Sequence, residues 1–174
     1  MNDIVERALR FASEAHEGQK RRYTGEPYIV HPVEVMEMVS AVCDDSEVLA
    51  SALLHDVVED TSFSLEDIRE LFGDRVASLV DQLTDQSKIE DGNRKTRKEI
   101  DRQHAAKATP EAQTVKLADL ISNSRCIIKN DPKFAKVYMV EKLRLLDVLD
   151  RGNELLFEEA RRLVEEYYES RRSG

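Results

Sequence analysis

Four polar side chains close an otherwise apolar helical segment. Residues 49–61 read LASALLHDVVEDT, and the polar side chains are His55, Asp56, Glu59 and Asp60. His55 and Glu59 lie one helical turn apart, as do Asp56 and Asp60, so each pair shares a face. Unpaired carboxylates beside buried leucines would cost free energy or become protonated, whereas a divalent cation supplies the missing charge. Imidazole and carboxylate ligands suit manganese, iron or zinc better than calcium.

A purely structural explanation of this segment stays open. If the helix frays after Leu54, the three carboxylates are solvated surface groups and His55 is an ordinary core histidine. The complete H-D-x-x-E-D arrangement on an apolar helix favours a metal site over that alternative.

Two distant segments offer further polar groups. His31 directly precedes Pro32, and proline is favoured at the start of a helix. Asp119 lies among apolar residues in TVKLADLISN, where a carboxylate needs a partner. Asn123 lies one turn beyond Asp119 and could orient a ligand or the substrate. Taken singly, His31 could be structural, and Asp119 could be paired with a lysine or a nearby hydrogen-bond donor.

Helical periodicity predicts the elements that position these residues. Charged residues make up 35% of the chain, with only 6 glycines and 4 prolines, which favours helices over a fold with many turns. Ser46 and Asn153 are predicted N-caps, and Ser64 with Asp67 resembles a capping box. No run alternates convincingly with period two. We therefore expect an all-α fold, a single-domain bundle of about eight to ten helices over residues 1–174.

Composition limits the partners and the compartment. The formal net charge of −9 disfavours broad contact with nucleic acid, and no apolar run is long enough to cross a membrane. A small anionic ligand remains possible, because a metal ion and a few basic residues can hold one locally. The charged N-terminus is unlike a secretory signal. Cys43 and Cys126 lack metal or disulfide spacing and indicate core thiols in a reducing cytoplasm.

Together these motifs resemble a known family. The HP at His31, HDVVED at residues 55–60 and VKLAD…N at residues 115–123 resemble the HD superfamily of metal-dependent phosphohydrolases. More narrowly, GQKRRYTGEPYIVHP with ALLHDVVEDT resembles the hydrolase domain of the RelA/SpoT homologues, especially the single-domain small alarmone hydrolases. The resemblance extends from about residue 3 to beyond residue 160.

The resemblance implies a metal centre and a catalytic pair. It assigns four ligands to one divalent metal ion per chain, usually manganese: His31, His55, Asp56 and Asp119. Such an ion neutralises phosphate charge and lowers the pKa of bound water. The resemblance also identifies Glu59 and Asp60 as the acidic pair that positions or deprotonates the attacking water.

The implied substrate is guanosine tetraphosphate or pentaphosphate, (p)ppGpp, the alarmone of the stringent response. Hydrolysis would release the 3′-pyrophosphate and leave GDP or GTP, with no covalent enzyme intermediate. Basic and polar residues are predicted to hold this nucleotide: Lys20, Arg21, Arg22, Arg97, Lys98 and Asn123. The family's GQ-x-R pattern matches Arg21, but the long members have a loop one residue shorter, so Arg21 and Arg22 compete for that role. A solvated basic surface is the ordinary alternative for these cations.

Departures from the family pattern keep other substrates open. The family commonly has a basic residue at Leu120 and often has an aromatic residue or histidine at Ser122. An adenosine alarmone or NADPH is therefore an alternative substrate of the same mechanism, and a non-catalytic nucleotide sensor is a further alternative. Alarmone synthesis is not expected, because 174 residues leave no room for the separate synthesising domain of the long homologues. A homodimer is possible, because several apolar residues could belong to the core or to an interface: Val137, Val140, Leu143, Leu155 and Leu156.

Overall fold

The computed structural model describes residues 3–172, and this part of the chain contains ten α-helices, one short 3-10 helix and no strand. The all-α prediction is confirmed. The helices are α1 (Asp3–Ala15), α2 (Val30–Ser40), α3 (Ser46–Leu54), α4 (Val57–Asp60), α5 (Leu65–Phe72), α6 (Asp74–Leu83), the 3-10 helix (Ile89–Asp91), α7 (Arg94–Lys107), α8 (Pro110–Asn130), α9 (Pro132–Leu146) and α10 (Glu154–Arg172). None of these helices is both long and apolar enough to cross a membrane.

The chain divides into two compact units, Met1–Thr84 and Asp85–Gly174. The predicted domain limits, residues 1 and 174, lie outside the described residues. The expectation that the whole chain is a single domain stays a prediction.

Helix α3 is the centre of the first unit. It packs against α1, α2 and α6, and α5 packs against α6. Because α3 is apolar on nearly every side, it has to be surrounded by other helices. Its buried residues are Val48, Ala50, Ser51, Ala52, Leu53 and Leu54.

Local hydrogen bonds set the helix starts in this unit. Ser64 and Asp67 form the predicted capping box, in which the backbone N–H of Ser64 donates to Asp67 at 2.7 Å. At α3 the predicted cap was wrong by one residue. Asp45, not Ser46, accepts hydrogen bonds from the N–H groups of residues 47 and 48. Asp45 has the extended backbone of a cap, whereas the residue after it already lies within the helix.

Helix α8 organises the second unit, where it packs against α9 and α10, while α7 packs against α9. The side chain of Asn153 accepts hydrogen bonds from the backbone N–H groups of residues 155 and 156, which confirms the predicted cap of α10. Leu156 is buried in the core. The other four apolar residues that could have belonged to the core or to an interface are exposed: Val137, Val140, Leu143 and Leu155.

Asp85 begins the second unit beside two lysines. Its carboxylate lies 2.8 Å from Lys98 Nζ and 3.6 Å from Lys116 Nζ. Burial by itself raises the pKa of Asp85, but attraction to Lys116 and Lys98 outweighs that effect and lowers the pKa to about 2. Lys98 also lies 3.4 Å from Asp101, which accepts a hydrogen bond from the backbone N–H of Ser87. These contacts tie the polar segment before α7 to α7 and α8.

Replacing Asp85 with asparagine is expected to lower the free energy of unfolding by about 2 kcal/mol at pH 7. The folded-state pKa of Asp85 is about 2 and lies below the ordinary value of 3.8. Its stabilisation is therefore complete above the ordinary pKa and is lost as the pH falls towards 2. Denaturant unfolding from pH 7 to pH 2 should show a shallower acid decline in the variant. Asp150→Asn removes an exposed carboxylate and is the control; equal pH dependence in both variants would contradict the prediction.

Candidate metal and catalytic site

Three side chains of the first unit bring their ligand atoms together. His31 belongs to α2, His55 follows α3 directly, and Asp56 directly precedes α4. One ligand atom from each lies within 4.8 Å of the others. His55 Nε2 is 3.0 Å from Asp56 Oδ2, and His31 Nε2 is 3.6 Å from the same oxygen. Both histidines are buried, each with 2% of its surface exposed.

The helix that carries this motif is divided at His55 and Asp56. Helix α3 ends at Leu54 and α4 begins at Val57, so the expectation of one continuous helix was wrong. Both intervening residues keep right-handed helical dihedrals. The backbone N–H of Asp60 still donates to the carbonyl of Asp56 at 2.9 Å. The expected one-turn relation between Asp56 and Asp60 therefore survives the division.

The hydrogen bonds of His55 indicate where its proton lies. His55 Nδ1 is 2.7 Å from the carbonyl oxygen of Ala52. A carbonyl oxygen can only accept, so in the neutral ring Nδ1 carries the hydrogen and Nε2 presents a lone pair. This lone pair lies 3.0 Å from a carboxylate oxygen of Asp56. Two acceptors at that distance repel unless a proton or a cation lies between them, and a set of two imidazole nitrogens and a carboxylate oxygen fits a divalent transition metal.

The carboxylates of α4 lie three and four residues after Asp56 in the chain. Glu59 and Asp60 are both exposed residues. The Asp60 carboxyl is nevertheless partly shielded from water, and this shielding, followed by the negative charge of Asp56, raises the pKa of Asp60. The neighbouring Tyr28 hydroxyl opposes the rise. Asp60 is therefore a stronger base than an ordinary exposed aspartate.

Three residues near Asp56 and Asp60 were absent from the candidates found in the sequence. The Tyr28 hydroxyl donates to Asp56 Oδ2 at 2.7 Å, and Gln19 Nε2 donates to the backbone carbonyl of Asp60 at 2.9 Å. Gln19 and Tyr28 lie within the loop motif GQKRRYTGEPY. The sequence therefore indicated that this loop belongs to the site, but it did not predict roles for these two residues. His16 contacts both Gln19 and Tyr28, and no pattern in the sequence identified it.

The three predicted cations of the first loop have different environments. Arg21 Nη1 lies 3.0 Å from Glu34, and only 9% of the Arg21 side chain is exposed. Lys20 and Arg22 are exposed. The guanidinium of Arg22 lies 5.4 Å from the ring centre of Tyr23. The structure thus separates one anchored arginine from two cations at the surface.

The remaining predicted site residues belong to the second unit. Asn123 donates a 2.6 Å hydrogen bond to Asp119, one turn earlier in α8. Lys98 is paired with Asp85. Arg97 Nε is buried and has no hydrogen-bond acceptor among residues 3–172. The assignment of Asp119 as a ligand stays a prediction.

The residues that depart from the family pattern lie inside the second unit. Leu120 and Ser122 are both buried in α8, with 1% and 6% of their surface exposed.

Comparison with known sequences identifies a family over most of the chain. A family model described as HD domain matches residues 8–144. Guanosine-3′,5′-bis(diphosphate) 3′-pyrophosphohydrolase MESH1 from Drosophila melanogaster is 40% identical over 127 residues, which cover 71% of this chain and 69% of that protein. A GTP pyrophosphokinase from Streptomyces coelicolor is also 40% identical, over 122 residues, but the chain spans only 14% of its length.

Comparison with solved structures agrees with the sequence matches. A structure described as a metazoan orthologue of SpoT that hydrolyses ppGpp and plays a role in starvation responses matches with a TM-score of 0.87 and 31% identity. The match covers 96% of this chain and 97% of the metazoan chain. The Listeria monocytogenes protein lmo0812 matches with a TM-score of 0.70 and 26% identity, over 85% and 99% of the two chains. The chain therefore belongs to the HD domain family and is similar over most of its length to the Drosophila pyrophosphohydrolase.

Proposed function

We propose that the protein hydrolyses the 3′-pyrophosphate of (p)ppGpp, giving GDP or GTP and pyrophosphate. One observation carries the proposal. The donor atoms of His31, His55 and Asp56 converge within 4.8 Å, and the carboxylates Glu59 and Asp60 lie three and four residues after Asp56. The similarity to the Drosophila guanosine-3′,5′-bis(diphosphate) 3′-pyrophosphohydrolase supports the choice of substrate.

As an HD domain, the chain binds a divalent metal ion, and we infer that the ion is manganese. His31, His55 and Asp56 would hold it. Asp119 is proposed as a further ligand on the strength of the VKLAD…N motif. When bound, the ion supplies positive charge for the phosphate groups and lowers the pKa of water.

The residues of the chain have separate tasks in the proposed reaction. Glu59 and Asp60 orient the attacking water and accept its proton, and the partial shielding of the Asp60 carboxyl from water suits it to that role. The hydroxyl of Tyr28 holds the Asp56 carboxylate in one orientation. The water oxygen bonds to phosphorus, the bond from phosphorus to the ribose 3′-oxygen breaks, and that oxygen takes up a proton. Water thus becomes part of the released pyrophosphate.

Six residues are proposed to bind the nucleotide: Lys20, Arg21, Arg22, Arg97, Lys98 and Asn123. In the first loop, the exposed cations Lys20 and Arg22 can reach phosphate. Arg21 is held by Glu34, so its planar guanidinium is preorganised for stacking or phosphate contact. In α7, the buried and unpaired Arg97 Nε is a donor that an anionic ligand would satisfy.

Arg22→Ala is expected to raise KM about tenfold and to leave the melting temperature unchanged, because it removes one charge-assisted contact from an exposed position. Arg21→Ala should also lower the melting temperature, since it breaks the part-buried pair with Glu34. Steady-state kinetics and thermal melts of both variants distinguish the two roles. Arg10→Ala removes an exposed cation of α1 and serves as the control. An unchanged KM in Arg22→Ala would remove that residue from the site.

The function itself is tested by product release from purified protein with manganese. Guanosine tetraphosphate, its adenosine counterpart and NADPH are supplied in parallel, and His55→Ala is the control. Pyrophosphate release from the guanosine compound, absent in His55→Ala, is the expected result. Turnover of the adenosine compound alone, or phosphate release from NADPH alone, would assign a different substrate to the same mechanism. No turnover of any substrate by protein that binds manganese would overturn the proposal.

Two further expectations accompany this function. Cys43 and Cys126 are free thiols, which favours action in the reducing cytoplasm. The exposed apolar side chains of α9, Val137, Val140 and Leu143, favour a homodimer. Sedimentation at several protein concentrations tests the assembly.

A further inference from the structure

His16 is a buried polar residue at the end of α1 that the proposed reaction does not yet use. Only 3% of its surface is exposed. Its Nδ1 lies 2.8 Å from Gln19 Oε1, and Gln19 Nε2 donates to the backbone carbonyl of Asp60 at 2.9 Å. This second bond fixes the orientation of the Gln19 amide, so its oxygen faces His16. In the neutral ring Nδ1 is therefore the donor, and Nε2 presents a lone pair.

A role in packing alone would not explain the Nε2 lone pair. This atom is buried and has no hydrogen-bond partner among residues 3–172. A buried acceptor without a donor costs free energy, and native cores rarely retain one. The cost is accounted for if a ligand of the site, such as water, supplies the missing hydrogen bond.

Two separate contacts connect His16 to Asp60. Through Gln19, His16 steadies the backbone of Asp60. Through its ring, whose centre is 4.7 Å from that of Tyr28, it packs against the residue whose hydroxyl donates to Asp56 and influences the Asp60 carboxyl. Both the backbone and the carboxylate of Asp60 therefore depend on the position of one imidazole.

We propose that His16 is a positioning residue for Asp60 and for the water on which Asp60 acts. The inference rests on the proposed hydrolase function. A water between the two side chains donates one hydrogen to His16 Nε2 and the other to the Asp60 carboxylate, so neither acceptor is left unsatisfied. The water is then held by two groups, and its oxygen lone pairs remain free to attack phosphorus. His16 does not itself touch the substrate.

Two substitutions separate the parts of this arrangement. His16→Asn keeps an N–H donor for Gln19 but has no atom at the position of Nε2. Gln19→Glu keeps an acceptor for His16 but cannot donate to the Asp60 carbonyl. We expect each to lower kcat about 10- to 100-fold, as outer partners of a reacting group do, with KM within about twofold and an unchanged melting temperature. Glu17→Gln alters the exposed neighbour of His16 and should behave as wild type.

A spectroscopic measurement tests the arrangement independently of turnover. In metal-free protein labelled with ¹⁵N-histidine, long-range ¹H–¹⁵N spectra above pH 8 should show His16 with a hydrogen on Nδ1 and none on Nε2. In Gln19→Leu, which lacks the acceptor, this preference should be lost. A hydrogen on Nε2 in the wild type would overturn the proposal.

The kinetic outcomes distinguish this inference from the function on which it rests. If the wild type does not release pyrophosphate, the proposed function fails, and the role of His16 in it fails as well. If the wild type is active and His16→Asn has the same kcat, only the role of His16 is overturned. If kcat falls only in proportion to the fraction of folded protein, His16 has a structural role, and the proposal is overturned.

Discussion

Replacement of His55 by alanine is expected to remove the bound metal ion and to lower pyrophosphate release by at least about 10³-fold. His55 is buried, its Nδ1 is held by the Ala52 carbonyl, and its Nε2 lies 3.0 Å from Asp56. Alanine removes one of the convergent donors and leaves the Asp56 carboxylate beside a cavity. An ion that supplies several kcal/mol of charge stabilisation corresponds to a loss of this size.

Metal analysis after dialysis and product release measure the two effects of His55→Ala on the same sample. Because alanine could also destabilise the first unit, Asp56→Asn is the second variant; it keeps the shape of the side chain and removes its charge. His104→Ala, which removes a histidine of α7 outside the cluster, controls for the loss of an imidazole. Full metal content and full turnover in both His55→Ala and Asp56→Asn would show that the cluster is not the metal site.

Glu59→Gln and Asp60→Asn are expected to lower kcat by about 10²- to 10⁴-fold while metal content stays at the wild-type level. Both substitutions keep the shape of the side chain and remove its ability to accept a proton, which is the contribution assigned to general-base groups. Asp60→Asn should give the larger loss, because partial shielding of the Asp60 carboxyl from water favours its proton-bound form. Single-turnover kinetics with pyrophosphate detection isolate the chemical step.

Metal content distinguishes the two roles that an acidic residue can have here. If Asp60→Asn loses the ion together with activity, Asp60 is a ligand and not a base. If neither variant changes kcat, the assignment of the acidic pair is wrong even though the metal site stands. Glu66→Gln, an exposed glutamate of α5, should leave both metal content and kcat unchanged.

Much of the fold was predictable because its causes lie within a few residues. The capping box of Ser64 and Asp67 and the cap at Asn153 each involve a side chain and a backbone group no more than three residues apart. The side chains of Asp119 and Asn123, four residues apart in α8, form a similarly local hydrogen bond. Asp45 and Ser46 are neighbours that could both cap α3, and the prediction from the sequence named the wrong one. The choice depends on a backbone dihedral that residue types do not determine.

The arrangement of the candidate site depended on contacts between distant parts of the chain. His31 and His55 are far apart in sequence, and their rings are 5.3 Å apart because α2 and α3 pack together. Likewise, the burial of Arg21 and the exposure of Arg22 follow from the position of Glu34 in α2. Residue types alone left these two arginines equivalent.

The sequence alone thus determined the all-α class and the caps at Ser64 and Asn153, because helical periodicity and caps are local properties. The H-D-x-x-E-D motif, which is also local, predicted the residues of the candidate site. Only the tertiary structure decided that Tyr28 bonds Asp56 and that His16 and Gln19 hold Asp60. The physical reason is that a side chain's long-range partners depend on which helix faces pack together. That packing is a property of the whole apolar core, and no segment specifies it by itself.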